Sequence, residues 1–248
     1  MITITMLIIN RYLKKYIQRQ RSKRYFSNIQ KNNSFWENCV KNRILLQEQV
    51  FNKIEYLLME FGTREPCNRF DVGNSIEFII SDFLKTIGYE VKELPNAKRV
   101  DMYICNYGDL SIKYSSSGDI TLHNSNGCIN KDEHMTDLLL LTKENLCLLS
   151  NDMLHIYGIN VSDYIENAGD SLKLKRKILK TMKTQNYPYI MNININVENC
   201  KNRLCSKVFY EAFNREYNNH ITNKNEENKK NKENEIDIVD KIQNMKIE

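Results

Sequence analysis

Residues 99–119, RVDMYICNYGDLSIKYSSSGD, constrain this chain more than any other stretch. Val100, Met102 and Ile104 alternate with Asp101 and Tyr103; after a short loop, Leu110, Ile112 and Tyr114 alternate with Ser111 and Lys113. Alternation of period two specifies two strands, each with one buried face. The spacing predicts a hairpin whose three-residue loop, Asn106-Tyr107-Gly108, puts glycine at the left-handed position. In that register Cys105 faces Asp109, Tyr103 faces Ser111 and Asp101 faces Lys113. Directly opposed residues of an antiparallel pair share a face, so a carboxylate and an ammonium meet on one surface while the apolar side chains enter a core.

An acid and a lysine on adjacent strands, joined by an acid from a preceding helix, can hold a divalent cation beside a phosphate. Magnesium suits oxygen ligands and keeps several waters, one of which can become the attacking hydroxide. The lysine would stabilise the charge that builds on the phosphorane or orient the water. The order Glu77 on a predicted helix, Asp101 on a strand, then Ser111-Ile112-Lys113 on the next strand resembles the PD-(D/E)xK nuclease superfamily, which contains most type II restriction endonucleases.

The resemblance covers roughly residues 70–160. It implies an α/β fold with a restriction-endonuclease-like mixed central sheet flanked by helices, and magnesium-dependent, site-specific cleavage of double-stranded DNA. On that resemblance Asp101 and Glu77 bind the metal, the Ile112 carbonyl completes its sphere and Lys113 assists the water. Two positions depart from the pattern. Val100 stands where the family name has proline, and Ser111 stands where the family usually places Asp or Glu. Glu77 is the substitute carboxylate, with Asp119 as second choice. A cutter of this kind implies a homodimer matched to a palindromic site.

Ahead of the hairpin, Ser34 and Glu37 have capping-box spacing and predict a helix carrying Val40, Ile44, Phe51, Ile54, Leu58 and Phe61, ending near Gly62. Asn74 opens a second predicted helix, with Ile76, Ile79, Ile80, Phe83, Leu84 and Ile87 on its apolar face and Gly88 as its stop. Glu77 lies three residues after Asn74, so a capping role and a site role both stay open. Asp101 and Lys113 likewise read either as a site or as a cross-strand ion pair on a solvated face. Residues 89–94 form a short strand.

Beyond the hairpin, Ser115, Ser116, Ser117, Gly118 and Asp119 offer hydroxyl and amide donors to a phosphate backbone, and Asn124 could pair with adenine. Turn chemistry accounts for the same residues. His123, Asp132, Glu133 and His134 raise a rival reading as a histidine-metal nuclease of the HNH type, whose ligand spacing they do not match. Residues 136–150 form a continuous apolar run broken by Lys143-Glu144-Asn145, which predicts two buried strands and a tight turn. A helix and an irregular passage follow over 151–167. Residues 171–184 predict a helix with a basic face that reads either as phosphate-binding or as solvated. Residues 192–197 alternate strictly and predict a strand, and 203–217 predict a helix.

This gives a basic arm over 1–33, a nuclease-like domain over 34–217 and a low-complexity tail over 218–248, rich in Asn, Lys and Glu and expected to be disordered. The first 70 residues hold 13 Lys/Arg against 5 Asp/Glu, so the net charge of +5 for the whole chain is concentrated there. Such a segment suits a polyanion. The seven scattered cysteines do not form a disulfide framework, and with no convincing signal peptide they predict a reducing, intracellular setting. No apolar run reaches the ~20 residues of a membrane helix. Two rivals to a nuclease remain: a catalytically inactive DNA-binding protein on the same core, and an interaction protein with no nucleic-acid role.

Overall fold

The computed structural model describes residues 27–94, 100–122, 136–168, 171–205 and 209–245. The first helix, α1 (27–41), begins well before Ser34, so the Ser34–Glu37 spacing does not mark its start. Tertiary anchors extend it: the Asn32 amide donates to Ser150 Oγ at 2.8 Å and the Asn28 amide to Asp152 Oδ2 at 2.8 Å. Helix α2 (Arg43–Leu46), a π-helical turn over Gln47–Phe51 and α3 (Asn52–Glu60) continue the chain. Helix α4 (Pro66–Thr86) also starts earlier than Asn74. Proline fits the first helical position because its missing N–H has no intrahelical partner there and its φ is already helical. Glu77 is therefore well inside a helix, and its capping role is excluded.

Nine strands follow among the described residues: β1 (Val91–Glu93), β2 (Met102–Ile104), β3 (Gly108–Tyr114), β4 (Ile120–Leu122), β5 (Asp137–Leu141), β6 (Asn145–Leu149), β7 (Ile165–Ala168), β8 (Ser171–Leu174) and β9 (Ile190–Asn192). The central sheet runs β1-β2-β3-β5-β6-β9, with β3 and β5 parallel and every other pair antiparallel. Burial follows the alternation: Met102, Ile104 and Leu110 are fully buried, whereas Tyr103 is exposed. The continuous leucine run of 136–150 supplies β5 and β6, whose residues are buried on both faces except Asp137 at the strand's head, as expected of interior strands.

The hairpin register differs from the sequence expectation. Asn106 takes the left-handed conformation (φ +63°), Tyr107 N–H closes the turn on the Ile104 carbonyl at 3.1 Å, and Gly108 (φ +110°) becomes the first residue of β3. Ile104 therefore pairs with Gly108, Tyr103 with Asp109 and Met102 with Leu110. Continued by one residue, this register puts Asp101 opposite Ser111 and makes Lys113 its diagonal neighbour rather than its direct partner.

Helix α5 (Asn151–Ile156) leads to a second sheet of order β4-β8-β7. Residues 171–184 are not one helix: Leu172 and Leu174 alternate with Lys173 and form β8, and only from Lys177 does the apolar spacing turn helical, giving α6 (Lys177–Thr184) with Ile178, Leu179 and Met182 buried. Of the predicted strand over 192–197 only its first residue lies within β9; beyond it, Ile193 and Ile195 donate to the Glu144 and Lys143 carbonyls at 2.9 Å each, outside a regular ladder.

Both sheets, and α4 from Ile76 onward, belong to the first of two compact units, Met1–Ile54 with Ile76–Asn196; the second is Glu55–Ser75 with Val197–Glu248. In the second unit Phe61, Phe209 and Phe213 cluster, and Tyr56 meets Phe213, Tyr217 and His220. Burial raises the Glu60 carboxyl, but hydrogen bonds from Lys201 and Arg203 outweigh it and hold the group below its ordinary range. The tail expected to be disordered from residue 218 is instead helical: α7 spans Phe209–Met245.

Candidate active site

Because β2 begins at Met102, the edge of β3 beyond Leu110 has no strand residue to accept the Ile112 N–H. The Asp101 carboxylate takes that place. Its Oδ2 accepts the Ile112 N–H at 2.5 Å, the Ser111 hydroxyl at 2.9 Å and the Lys113 ammonium at 3.0 Å. In an antiparallel ladder the N–H and C=O of one residue point to the same neighbour, so the Ile112 carbonyl faces the same edge as Asp101. The side chains of Asp101 and Lys113 are 15% and 29% exposed, so the pair is sheltered yet open to a ligand.

Glu77 is a half-buried residue of α4. Burial, and after it the negative charge of Asp101, push its carboxyl up to about 7, against the opposing pull of the Lys113 ammonium. Those two named charges place the helix acid in one electrostatic field with the strand acid and lysine. Three of the sequence-derived residues, Asp101, Ser111 and Lys113, together with the backbone of Ile112, are joined by hydrogen bonds, and Glu77 lies within electrostatic range of Asp101 and Lys113. Among the described residues no three His, Cys, Asp or Glu side chains converge on one point. Any cation here would have two carboxylates and the Ile112 backbone carbonyl as protein ligands.

Asp119, the second-choice acid, is committed elsewhere. Its Oδ1 accepts the Arg176 N–H at 2.8 Å and its Oδ2 pairs with Lys173 at 3.3 Å; the Arg176 hydrogen bond, then Lys173, hold it below the usual carboxylate range. The Ser115 hydroxyl donates to the Asp119 carbonyl and accepts the Gly118 N–H, and Ser117 lies against Ser115 and the Asp119 N–H. These hydroxyls close their own turn, and Ser116 is exposed. Asn124, the rival set His123, Asp132, Glu133 and His134, and the basic arm up to residue 26 lie outside the described residues.

One acid that sequence reasoning passed over is Asp137. It accepts the Tyr107 hydroxyl at 3.0 Å and lies 3.7 Å from Lys31; burial raises its carboxyl, and Lys31 opposes that. Its signal was a lone acid at the head of a leucine run. It pairs with Leu110 in β3, which puts it on the sheet face away from Ser111 and Lys113. No helix among the described residues is long and apolar enough to cross a membrane. No model of a known protein family, no curated protein and no solved structure matches this chain.

Proposed function

We propose that this chain is a magnesium-dependent, site-specific endonuclease acting on double-stranded DNA, on a restriction-endonuclease-like core of the PD-(D/E)xK type. The observation that carries this reading is the hydrogen-bonded set of Asp101 with Ser111, the Ile112 N–H and Lys113 at the hairpin, with the Glu77 carboxyl of α4 within electrostatic range of Asp101 and Lys113. A perturbed acid with a charged partner at a sheltered, reachable place has the physical marks of a functional-site candidate. A mixed sheet with one parallel pair beyond the hairpin, and a helix delivering the second acid, agree with that core.

The residues fit magnesium, which is held by one or two carboxylates and keeps waters for the rest of its sphere. Asp101 and Glu77 would hold it, with the Ile112 carbonyl on the same edge. Such an ion lowers the pKa of a bound water and neutralises charge on the phosphate. Lys113, already 3.0 Å from Asp101, adds a fixed positive charge where the phosphorane develops negative charge. Ser111 orients Asp101 in place of a third carboxylate. A homodimer would present two such sites to the two strands of a palindrome.

A second reading, a DNA-binding protein that does not cut, is supported by Asp101 Oδ2 already accepting three protein donors. Incubation with several unmodified duplex DNAs, in magnesium or in chelator, separates the two. Discrete magnesium-dependent fragments support the nuclease; intact DNA with salt-sensitive retardation supports binding alone.

A further inference from the structure

The segment 171–184, SLKLKRKILKTMKT, contains six basic residues and no acid. The structure sorts the five lysines among them. Lys173 is paired with Asp119 at 3.3 Å and Lys175 with Glu166 at 2.6 Å, whereas Lys177, Lys180 and Lys183 are exposed and have no ion pair among the described residues. At 3.6 residues per turn, Arg176, Lys177, Lys180 and Lys183 fall within an arc of about 120°. The buried stripe of Ile178, Leu179 and Met182 occupies the opposite side of α6. A solvated helix face normally mixes signs, because interspersed acids relieve repulsion between neighbouring lysines. This face does not.

Its placement is equally specific. The loop that leaves β3 just beyond Lys113 is clamped to the start of α6: Asp119 accepts the Arg176 N–H, and Gly118 (φ +83°) comes so close that a Cβ there would stand 3.1 Å from Arg176 Cβ. The strand that carries Lys113 and the basic helix are thus joined by one short, internally hydrogen-bonded turn.

We propose that the face of α6 bearing Lys177, Lys180 and Lys183, with Arg176 at its start, grips the sugar–phosphate backbone of the duplex cut at Asp101 and Lys113. The proposal rests on the nuclease reading for the identity of the polyanion and adds the surface that holds it. Lysines of this kind touch phosphate without reading bases, so they give affinity and register rather than sequence choice. They also attract a polyanion from a distance, in a salt-dependent way.

The test uses the full-length chain and a labelled duplex in chelator, with binding followed over a series of salt concentrations. Replacing Lys177, Lys180 and Lys183 together by Gln should flatten the log–log salt dependence by roughly 0.9 for each phosphate no longer neutralised, about 2 to 3 in all, and weaken unrelated sequences alike. The Lys→Arg triple variant keeps the charge and should retain the parent slope. A charge-matched variant, Lys41, Lys224 and Lys229 all changed to Gln, should also leave it unchanged; these exposed lysines lie on α1 and α7. A parent-like slope in the α6 triple variant overturns the proposal, as does an equal flattening in the charge-matched variant or a parent chain that does not bind DNA. Cleavage in magnesium is scored separately. A cutting parent whose α6 variant binds normally refutes the surface and spares the nuclease. A flattened slope in a chain that never cuts does the reverse.

Discussion

The Ser111 hydroxyl donates to Asp101 Oδ2 at 2.9 Å, across the register that the turn at Asn106 imposes. Ser111 is only 8% exposed, so this bond is shielded from competing water. Ser111→Ala removes one of the three donors that fix the carboxylate. A hydrogen bond to a charged group contributes about 1.5–3 kcal/mol, so cleavage should fall at least about tenfold with little change in fold. Ser111→Asp instead sets a second carboxylate against Asp101, which should lower the melting temperature in chelator and enlarge the stabilisation that magnesium confers. Melting curves with and without magnesium check both; a Ser111→Asp protein indifferent to magnesium would count against a cation at this place.

Glu77 predicts a pH dependence of defined sign. Its carboxyl titrates near 7 in the folded chain against an ordinary value of 4.5, mainly because it is buried, so the folded state holds the proton more tightly. Stability is then highest below the unfolded value, declines as pH rises from there to about 7, and is flat above. At 1.36 kcal/mol per unit the decline is at most on the order of 3 kcal/mol. Glu77→Gln should abolish that decline, measured by urea unfolding at acid and mildly alkaline pH, and should raise stability at alkaline pH.

The same group sets an opposite trend in activity. Holding a cation needs the ionised carboxylate, so cleavage should rise with pH through the neutral range, and its midpoint should move to lower pH as magnesium is raised. Rates measured over a pH series at two magnesium concentrations check this. Coincident midpoints would remove Glu77 from the metal site.

In the second unit, Gly62 has φ +64°, and a Cβ there would stand 2.5 Å from Cys200 Sγ and 2.9 Å from Asn202 Oδ1. Gly62→Ala should cost about 1–3 kcal/mol through strain and displacement. Gly158 has a similar φ, +68°, but open space around it. Gly158→Ala should cost less, because only the backbone strain remains. Equal shifts in urea midpoint for the two variants would contradict the crowding at Gly62.

The hairpin, the leucine strands and the apolar faces of the helices were legible because they rest on periodicity, which is local. What the sequence misplaced depended on partners far along the chain. Ser34 carries a capping box, yet α1 runs past it because Asn28 and Asn32 find Asp152 and Ser150. Gly108 does take a positive φ, as expected, but Asn106 is left-handed too and the turn closes before Gly108, which already belongs to β3; that moved the register by two residues. Lys113 still reached Asp101, since a diagonal neighbour on the same face is within range of a long side chain. Glu77 looked equally like a cap until the helix start at Pro66 removed that option. Nothing local could have shown that Asp119 would be taken by Arg176, 57 residues on.

If Asp101 and Lys113 form the proposed cutting site, the magnesium-dependent rate of fragment formation should separate the parent chain from Asp101→Ala and Lys113→Ala. The parent should give discrete fragments and each variant should lose at least about a hundredfold in rate, with duplex binding retained. Undiminished cutting by both variants, or a parent that leaves every DNA intact in magnesium, would contradict the proposed site.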